Sequence, residues 1–417
     1  MVVIKPFKGI RPVREKAEQV ASPPYDVIER DEAKEVAKNN ENSFLHIVKP
    51  EIDFPDDVGE YDPKVIEKGK KNIQRMIDQG TLVQDDQRLM YVYAQTMKGN
   101  TQYGLVACAS VEDYVNNRIK KHELTRPDKE EGRKNHVRVS NMNYEPVFFA
   151  YPPVNEIDQI VEEIVSNNDP EYDFTDENEF RHMFWIINDL DKVEKIEQLF
   201  NEKVESTYVA DGHHRTAAAA LVGEERKQNN PNHTGNEEYN YFLAVHFPSN
   251  QLNIIDYNRV VKDLNNLSKD EFLKKLSEYF DIEEYGSKQY KPVEIHTFGM
   301  YLDGQWYKLT AKEGTYTDDP IGQLDVTILS KCVLEPILGI EDLRKSKRID
   351  FVGGIRGLDP LEEKVNSGQM AASFALYPVT MQQLINIADT GNIMPPKTTW
   401  FEPKLKSGLV IHSLDDE

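Results

Sequence analysis

Cysteine is nearly missing from this chain of 417 residues: only Cys108 and Cys332 occur, far apart and in no metal-ligand spacing. That gives no disulfide framework and points to a reducing compartment. Long apolar runs are missing too. The opening Met1-Val2-Val3-Ile4-Lys5-Pro6 lacks the hydrophobic stretch of a signal peptide, and no segment reaches the length of a membrane span. The expectation is a cytoplasmic protein with no membrane partner. Positive charge is in deficit, with 50 Lys and Arg against 72 Asp and Glu, a net charge of −22. This weighs against nucleic acid as a partner, because a polyanion needs a basic face. Familiar signatures are absent as well: no Gly-x-x-x-x-Gly-Lys-Ser/Thr loop, no Gly-x-Gly-x-x-Gly after a strand, no Gly-x-Ser-x-Gly elbow. Any phosphate chemistry here uses another scaffold.

What is present is concentrated in one segment. The β-prone run Ser206-Thr207-Tyr208-Val209-Ala210 leads into Asp211-Gly212-His213-His214-Arg215-Thr216 and then four alanines, Ala217 to Ala220. Alanine has the highest helix propensity, so the pattern reads strand, tight Asp-Gly turn, helix. The first turn of a helix carries unpaired N–H groups and the positive end of the helix dipole. A phosphate or carboxylate fits there, with Arg215 adding a bidentate fork and Gly212 allowing close approach. Two plainer readings remain beside this one. Asp and Gly serve many strand-to-helix turns for conformational reasons alone. His213, His214 and Asp211 are also metal-ligand types, although adjacent histidines at a helix start point about 100° apart and chelate poorly.

Within the acidic chain the cations cluster, over Arg118–Arg138, at Arg344–Arg348, and at Lys397, Lys404 and Lys406. Charge runs are usually solvated faces. The first cluster, however, contains Lys121-His122-Glu123 with Arg133 following, which sets a base, an acid and cations close together. The last contains Met394-Pro395-Pro396-Lys397-Thr398, a proline-stiffened loop that loses little entropy on closing around a ligand. A solvated helix start and a surface strap are the plain alternatives for these two.

Elsewhere the chain alternates irregularly between helical and extended patterns, which indicates an α/β or mixed α+β class. Asp62-Pro63 is a cap and first-position pair for a helix to Gln79, with Gly80 as its stop. Met90–Met97 and Gln102–Val111 read as a hairpin, as do Tyr241–Phe247 and Leu252–Val260. Ser268 with Glu271 forms a capping box for a helix to Phe280. The Tyr285–Pro292 stretch marks a domain break, giving an N-terminal α/β domain, 1–285, and a smaller C-terminal α+β domain, 286–417.

Several motifs together resemble one bacterial family of about this length, catalogued only as a domain of unknown function. They are Ile4-Lys5-Pro6-Phe7-Lys8-Gly9-Ile10-Arg11-Pro12, Ser22-Pro23-Pro24-Tyr25-Asp26-Val27, Lys121-His122-Glu123, Ala210-Asp211-Gly212-His213-His214-Arg215 and Met394-Pro395-Pro396-Lys397-Thr398. The Asp-Gly-His-His-Arg turn is also similar to the phosphate-binding element of the ParB/sulfiredoxin-like fold, one branch of which phosphorylates free serine. The likeness implies a ParB/sulfiredoxin-like core with large insertions. It further implies that Gly212, His213, His214 and Arg215 hold phosphate oxygens; Asp211 and Thr216 of the same turn are expected to join them, with Lys121, Arg133 and Lys397 as supporting cations. The cysteine that sulfinic-acid repair needs in the turn is here a histidine, and no DNA-reading domain is evident.

The expectation is an enzyme acting on a small phosphorylated metabolite or nucleotide, in phosphoryl transfer to or from serine. Glu123 or His122 would be the base, with His213 and His214 in catalytic positions. Mg2+ and a nucleotide, ATP or ADP, are the implied cofactors, with no metal site built from the chain alone. A non-catalytic nucleotide or phosphometabolite sensor and a metal-dependent hydrolase stand as alternatives. Oligomeric state is left open.

Overall fold

The computed structural model describes residues 1–415. The architecture is mixed α+β and divides into two compact units, Met1–Leu252 with the C-terminal stretch from Pro403, and Asn253–Glu402.

The first unit is built on nine strands: β1 (Ile4–Lys5), β2 (Met90–Met97), β3 (Asn100–Ser110), β4 (Ile119–Lys120), β5 (Val147–Tyr151), β6 (Tyr172–Thr175), β7 (Arg181–Ile187), β8 (Thr207–Asp211) and β9 (Tyr241–Pro248). Their order is β4-β8-β5-β9-β3-β2-β7-β6, with β1 beside β3. β8 runs parallel to β4 and antiparallel to β5, and β5 runs parallel to β9. The remaining pairs are antiparallel.

The period of two in β2 explains why the sheet is covered on both faces. Met90, Val92 and Ala94 point into a cluster with Ile157, Ile164, Ile196 and Phe200, from helices α4 (Asn155–Asn167) and α5 (Leu190–Lys203). Further along the sheet Val147, Phe149, Val209 and Phe242 pack with Ala220 of helix α6 (His213–Asn229). A third cluster joins helices α1 (Arg30–Ala37) and α2 (Pro63–Asp78) through Ala33, Ala37, Ile73 and Met76. Asp62 caps α2 as expected, its carboxylate accepting from Lys64 N.

Helix α3 (Pro127–Ser140) was not visible in the apolar pattern, because the residues it buries are Gly132, Arg133, His136 and Ser140. A Cβ on Gly132 would stand 2.1 Å from the Tyr61 ring, so glycine is what allows that close packing.

The second unit carries a six-stranded sheet: β10 (Tyr257–Val261), β11 (Phe280–Gly286), β12 (Thr297–Leu302), β13 (Gln305–Ala311), β14 (Ile349–Gly353) and β15 (Ala372–Leu376), in the order β11-β13-β12-β15-β10-β14. Trp306, Leu361 and Val260 lie at its core, and all three are completely buried.

Three sequence expectations differ from this arrangement. The hairpin of Tyr241–Phe247 with Leu252–Val260 does not form: β9 and β10 belong to different sheets, and β10 pairs with β14 and β15. The capping box at Ser268 and Glu271 is present, but its helix ends at Leu276 and β11 begins at Phe280. The break placed at 285/286 falls inside the second sheet, since β11 reaches Gly286 and pairs with β13. The chain from Pro403 returns to the first unit.

Candidate functional site

Strand β8 delivers the Asp-Gly turn through an irregularity in its pairing with β5. Val209 pairs with Phe149 and Asp211 with Phe148, leaving Ala210 as an extra residue. Such a bulge re-aims the following side chain, and here the side chain is Asp211. Gly212 then takes a left-handed conformation, φ +88 and ψ 36, as N-cap of α6. A glycine cap supplies no side-chain acceptor, so the N–H groups of the first helical turn have none from their own cap. Thr216 is tied into the helix, its hydroxyl and its N–H both donating to Gly212 O.

Arg215 lies beneath the turn. Nη1 donates to Pro146 O at 2.7 Å and Nη2 to Asp211 Oδ2 at 3.0 Å, with Asp26 Oδ2 4.0 Å away. Nε is buried and has no hydrogen-bond partner among the described residues. Burial opposes its charge, yet Asp26, Asp211 and Glu145 together raise its pKa above the ordinary value. Asp211 Oδ1 accepts from Lys404 Nζ at 3.1 Å. Burial would raise the Asp211 carboxyl, but Lys404 and Arg215 outweigh it and hold the pKa at about 2.

The parallel pairing of β4 with β8 brings Lys121-His122-Glu123 against the turn. The His122 and His213 rings meet edge-on at 4.5 Å, and Glu123 Oε2 is 3.7 Å from His213 Nδ1. His213 is buried, and its Nε2 has no partner among the described residues. His214 Nε2 accepts from Arg126 N at 3.0 Å. All three histidines are pushed towards the neutral form. Burial lowers His122 to about 4, against the pull of Asp211 and a hydrogen bond with the Val209 backbone. Burial, then His122, depresses His213; burial, then Lys129, depresses His214. Fixed positive charge at the turn therefore comes from Arg215, Lys404 and the helix dipole.

Each of the three expected supporting cations has a partner of its own. Arg133 is buried behind the turn, with its guanidinium carbon 3.8 Å from the centre of the Tyr25 ring and Nη1 3.4 Å from Glu145 Oε2. Glu145 in turn accepts from Tyr25 N. Arg133 thus braces the Ser22–Asp26 segment. Lys121 stands over the Tyr114 ring at 4.4 Å. Lys397 belongs to the second unit, in a left-handed conformation with φ +60, its carbonyl accepting from Arg259 Nη2. No group of three His, Cys, Asp or Glu side chains gathers in metal-binding geometry among the described residues. Asp211, the carboxylate of the proposed hydrolase set, is already engaged by Lys404 and Arg215.

Asp26 and Lys404 were absent from the expected site. Asp26 stood in a recognised motif, and Lys404 in a recognised basic cluster. Nothing local, however, links position 26 or 404 with position 211. That link exists only in the folded chain.

A family model described as "Protein of unknown function (DUF1015)" matches residues 4–327. The chain belongs to this family. No curated protein matches it. Among solved structures, a free serine kinase mutant in complex with AMP aligns with 12% identity over 78% of this chain and 93% of its own, at a TM-score of 0.37. A conserved hypothetical protein from Pyrococcus furiosus aligns with 12% identity over 73% and 95%, at 0.35. SbnI with a C-terminal truncation, from Staphylococcus aureus, aligns with 11% identity over 75% and 90%, at 0.39. No helix of the described residues is long and apolar enough to cross a membrane.

Proposed function

We propose that this protein binds the phosphate of a nucleotide or small phosphorylated metabolite at the Gly212 turn and transfers a phosphoryl group to or from serine. The observation that carries the reading is an uncapped helix start lying directly over a buried guanidinium. Phosphoryl transfer demands mainly positioning and charge neutralisation. The first-turn amides of α6, Arg215 and Lys404 supply both. Arg215 Nε and His213 Nε2 are the buried donors or acceptors left for a ligand. Asp211 orients Arg215 and Lys404 rather than meeting the anion itself.

Proton removal from an incoming hydroxyl falls to Glu123, which is partly exposed at the mouth of the turn beside neutral His213. Asp26 is the other carboxylate there. Mg2+, usually held by one or two carboxylates and substrate phosphates, would find Asp26 as its protein ligand and supply charge neutralisation, with Glu123 kept as the base. Serine is the acceptor to test first, because the Asp-Gly-His-His-Arg turn resembles the element found in free serine kinases.

The test is phosphorus NMR of the protein with serine, Mg2+ and either ATP or ADP, and of the reverse reaction from phosphoserine. The reading expects a phosphoserine signal that falls at least tenfold in rate with Glu123→Gln. No phosphoryl transfer in either direction with any of these compounds contradicts it.

A further inference from the structure

A cavity of about 220 Å³ opens elsewhere in the first unit, between the Glu18–Ser22 segment, the Phe174–Glu177 turn and Lys406. That volume lies below the range of drug-sized ligand sites and suits a metabolite of a few heavy atoms. Its wall contains an ammonium hidden from water: the Lys406 side chain is 8% exposed and contacts Asp176 Oδ2 at 2.8 Å. The same Oδ2 lies 3.2 Å from His182 Nε2, and His182 Nδ1 meets the Tyr93 hydroxyl at 2.8 Å. Asp176 Oδ1 accepts from Asn178 N and Phe180 N. Asp176 is therefore fully used, and it neutralises Lys406.

The remaining charge of the wall is negative. Glu18 and Glu177 also line the cavity, making three carboxylates with Asp176 against one ammonium. Glu177 is 3.7 Å from Lys406, and Glu18 is exposed. Phe174 stacks on His182 at 5.3 Å and adds an aromatic surface to the lining. An anion is repelled from such a wall; a protonated amine is attracted by the carboxylates and by the ring face. Ser22 and Ser43, both buried, add hydroxyls for a polar ligand body.

We propose that this cavity is a binding site for a small amine-bearing metabolite, with its ammonium towards Glu18 and Glu177 and its hydroxyl or carboxylate oxygen towards Lys406. The site has the opposite charge preference to the Gly212 turn, and two short segments join the two. Ser22 lines the cavity four residues before Asp26, and Lys406 lines it two residues after Lys404. Two residues of chain span at most about 7 Å, so an amine held here is a neighbour of the anion turn. The proposal stands on the cavity alone and does not need the phosphate reading.

Isothermal titration of the full chain with ethanolamine, L-serine, L-lysine and putrescine, and with N-acetylethanolamine and N-acetyl-L-serine, tests it. At least one amine is expected to bind saturably in the millimolar range or tighter, and acetylation of the nitrogen to weaken it at least tenfold. Val36, on the cavity wall and 53% exposed, can be enlarged without disturbing the core. Val36→Trp should abolish that binding, and Glu18→Gln should weaken it several-fold. The proposal is overturned if no amine binds, if the acetylated forms bind equally well, or if Val36→Trp leaves binding unchanged. Titration with ADP and phosphoserine in the same series reads the anion turn separately, so either claim can fail alone.

Discussion

Arg215 occupies the space beneath Gly212: a Cβ added at Gly212 would lie 3.2 Å from the guanidinium Cζ, Nε and Nη2. The turn and its buried cation are therefore one unit, and disturbing either displaces the other. Gly212→Ala adds a crowded contact to a backbone held at φ +88. A left-handed non-glycine residue costs about 1–2 kcal/mol, so denaturant midpoints should fall accordingly. Phosphate-ligand affinity should fall with them, at least tenfold. Unchanged stability and affinity would mean that the turn relaxes freely and is not a fixed cradle.

Arg133 is predicted to be a structural cation. It is packed against Tyr25 and faces buried Glu145, whose carboxyl burial pushes upward while Arg133 pulls it back down. Removing one partner of a buried pair costs about 3–5 kcal/mol, because the other is left uncompensated. Arg133→Ala should therefore lower unfolding free energy steeply, and Arg133→Ala with Glu145→Ala should recover part of the loss. A single variant of wild-type stability that no longer binds phosphate compounds would instead make Arg133 a ligand.

Asp211 predicts an acid limb. Its folded pKa is depressed from 3.8 to about 2, so its contribution to stability is complete above 3.8 and is lost as pH falls towards 2. Asp211→Asn should flatten the stability profile in that window while leaving its shape near neutrality alone. Identical acid slopes in the two proteins would show that Lys404 and Arg215 do not hold the carboxylate as described.

Asp325, in the second unit, predicts the opposite slope. Burial raises its carboxyl from 3.8 to about 7, with one oxygen accepting from His296 N and the other lacking a partner among the described residues. The folded state holds this proton more tightly than the unfolded chain. Its contribution is thus full below 3.8 and is lost as pH rises to about 7. Asp325→Asn should remove that decline in equilibrium unfolding measured from pH 4 to 7. A decline that persists in the variant assigns it to another group.

Which features could be read from the sequence follows from the distance over which each is determined. Helix α2 was legible because Asp62, Pro63 and Gly80 are local signals, and Gly80 takes the expected positive φ of 69°. The Gly212 turn was legible for the same reason. Helix α3 was not, because it buries Gly132, Arg133, His136 and Ser140 in place of an apolar stripe. The false hairpin at 241–260 came from two real strands, each with the right pattern; their partners lie up to 141 residues away, as in His246 with Leu105. Likewise, the contact of Lys404 with Asp211 spans 193 positions. Short-range turn chemistry placed the centre of the site, and long-range ion pairs completed it.

The most direct test of the central claim is equilibrium unfolding of the full chain with and without AMP, ADP, ATP, pyrophosphate and phosphoserine, each with and without Mg2+. A ligand at a hundred times its dissociation constant stabilises by about 2.7 kcal/mol. The account predicts such a gain with at least one of these compounds, and its loss in Gly212→Ala, which crowds the turn against Arg215. No gain with any phosphate compound, or an equal gain in Gly212→Ala, would contradict the assignment of the turn as a phosphate site.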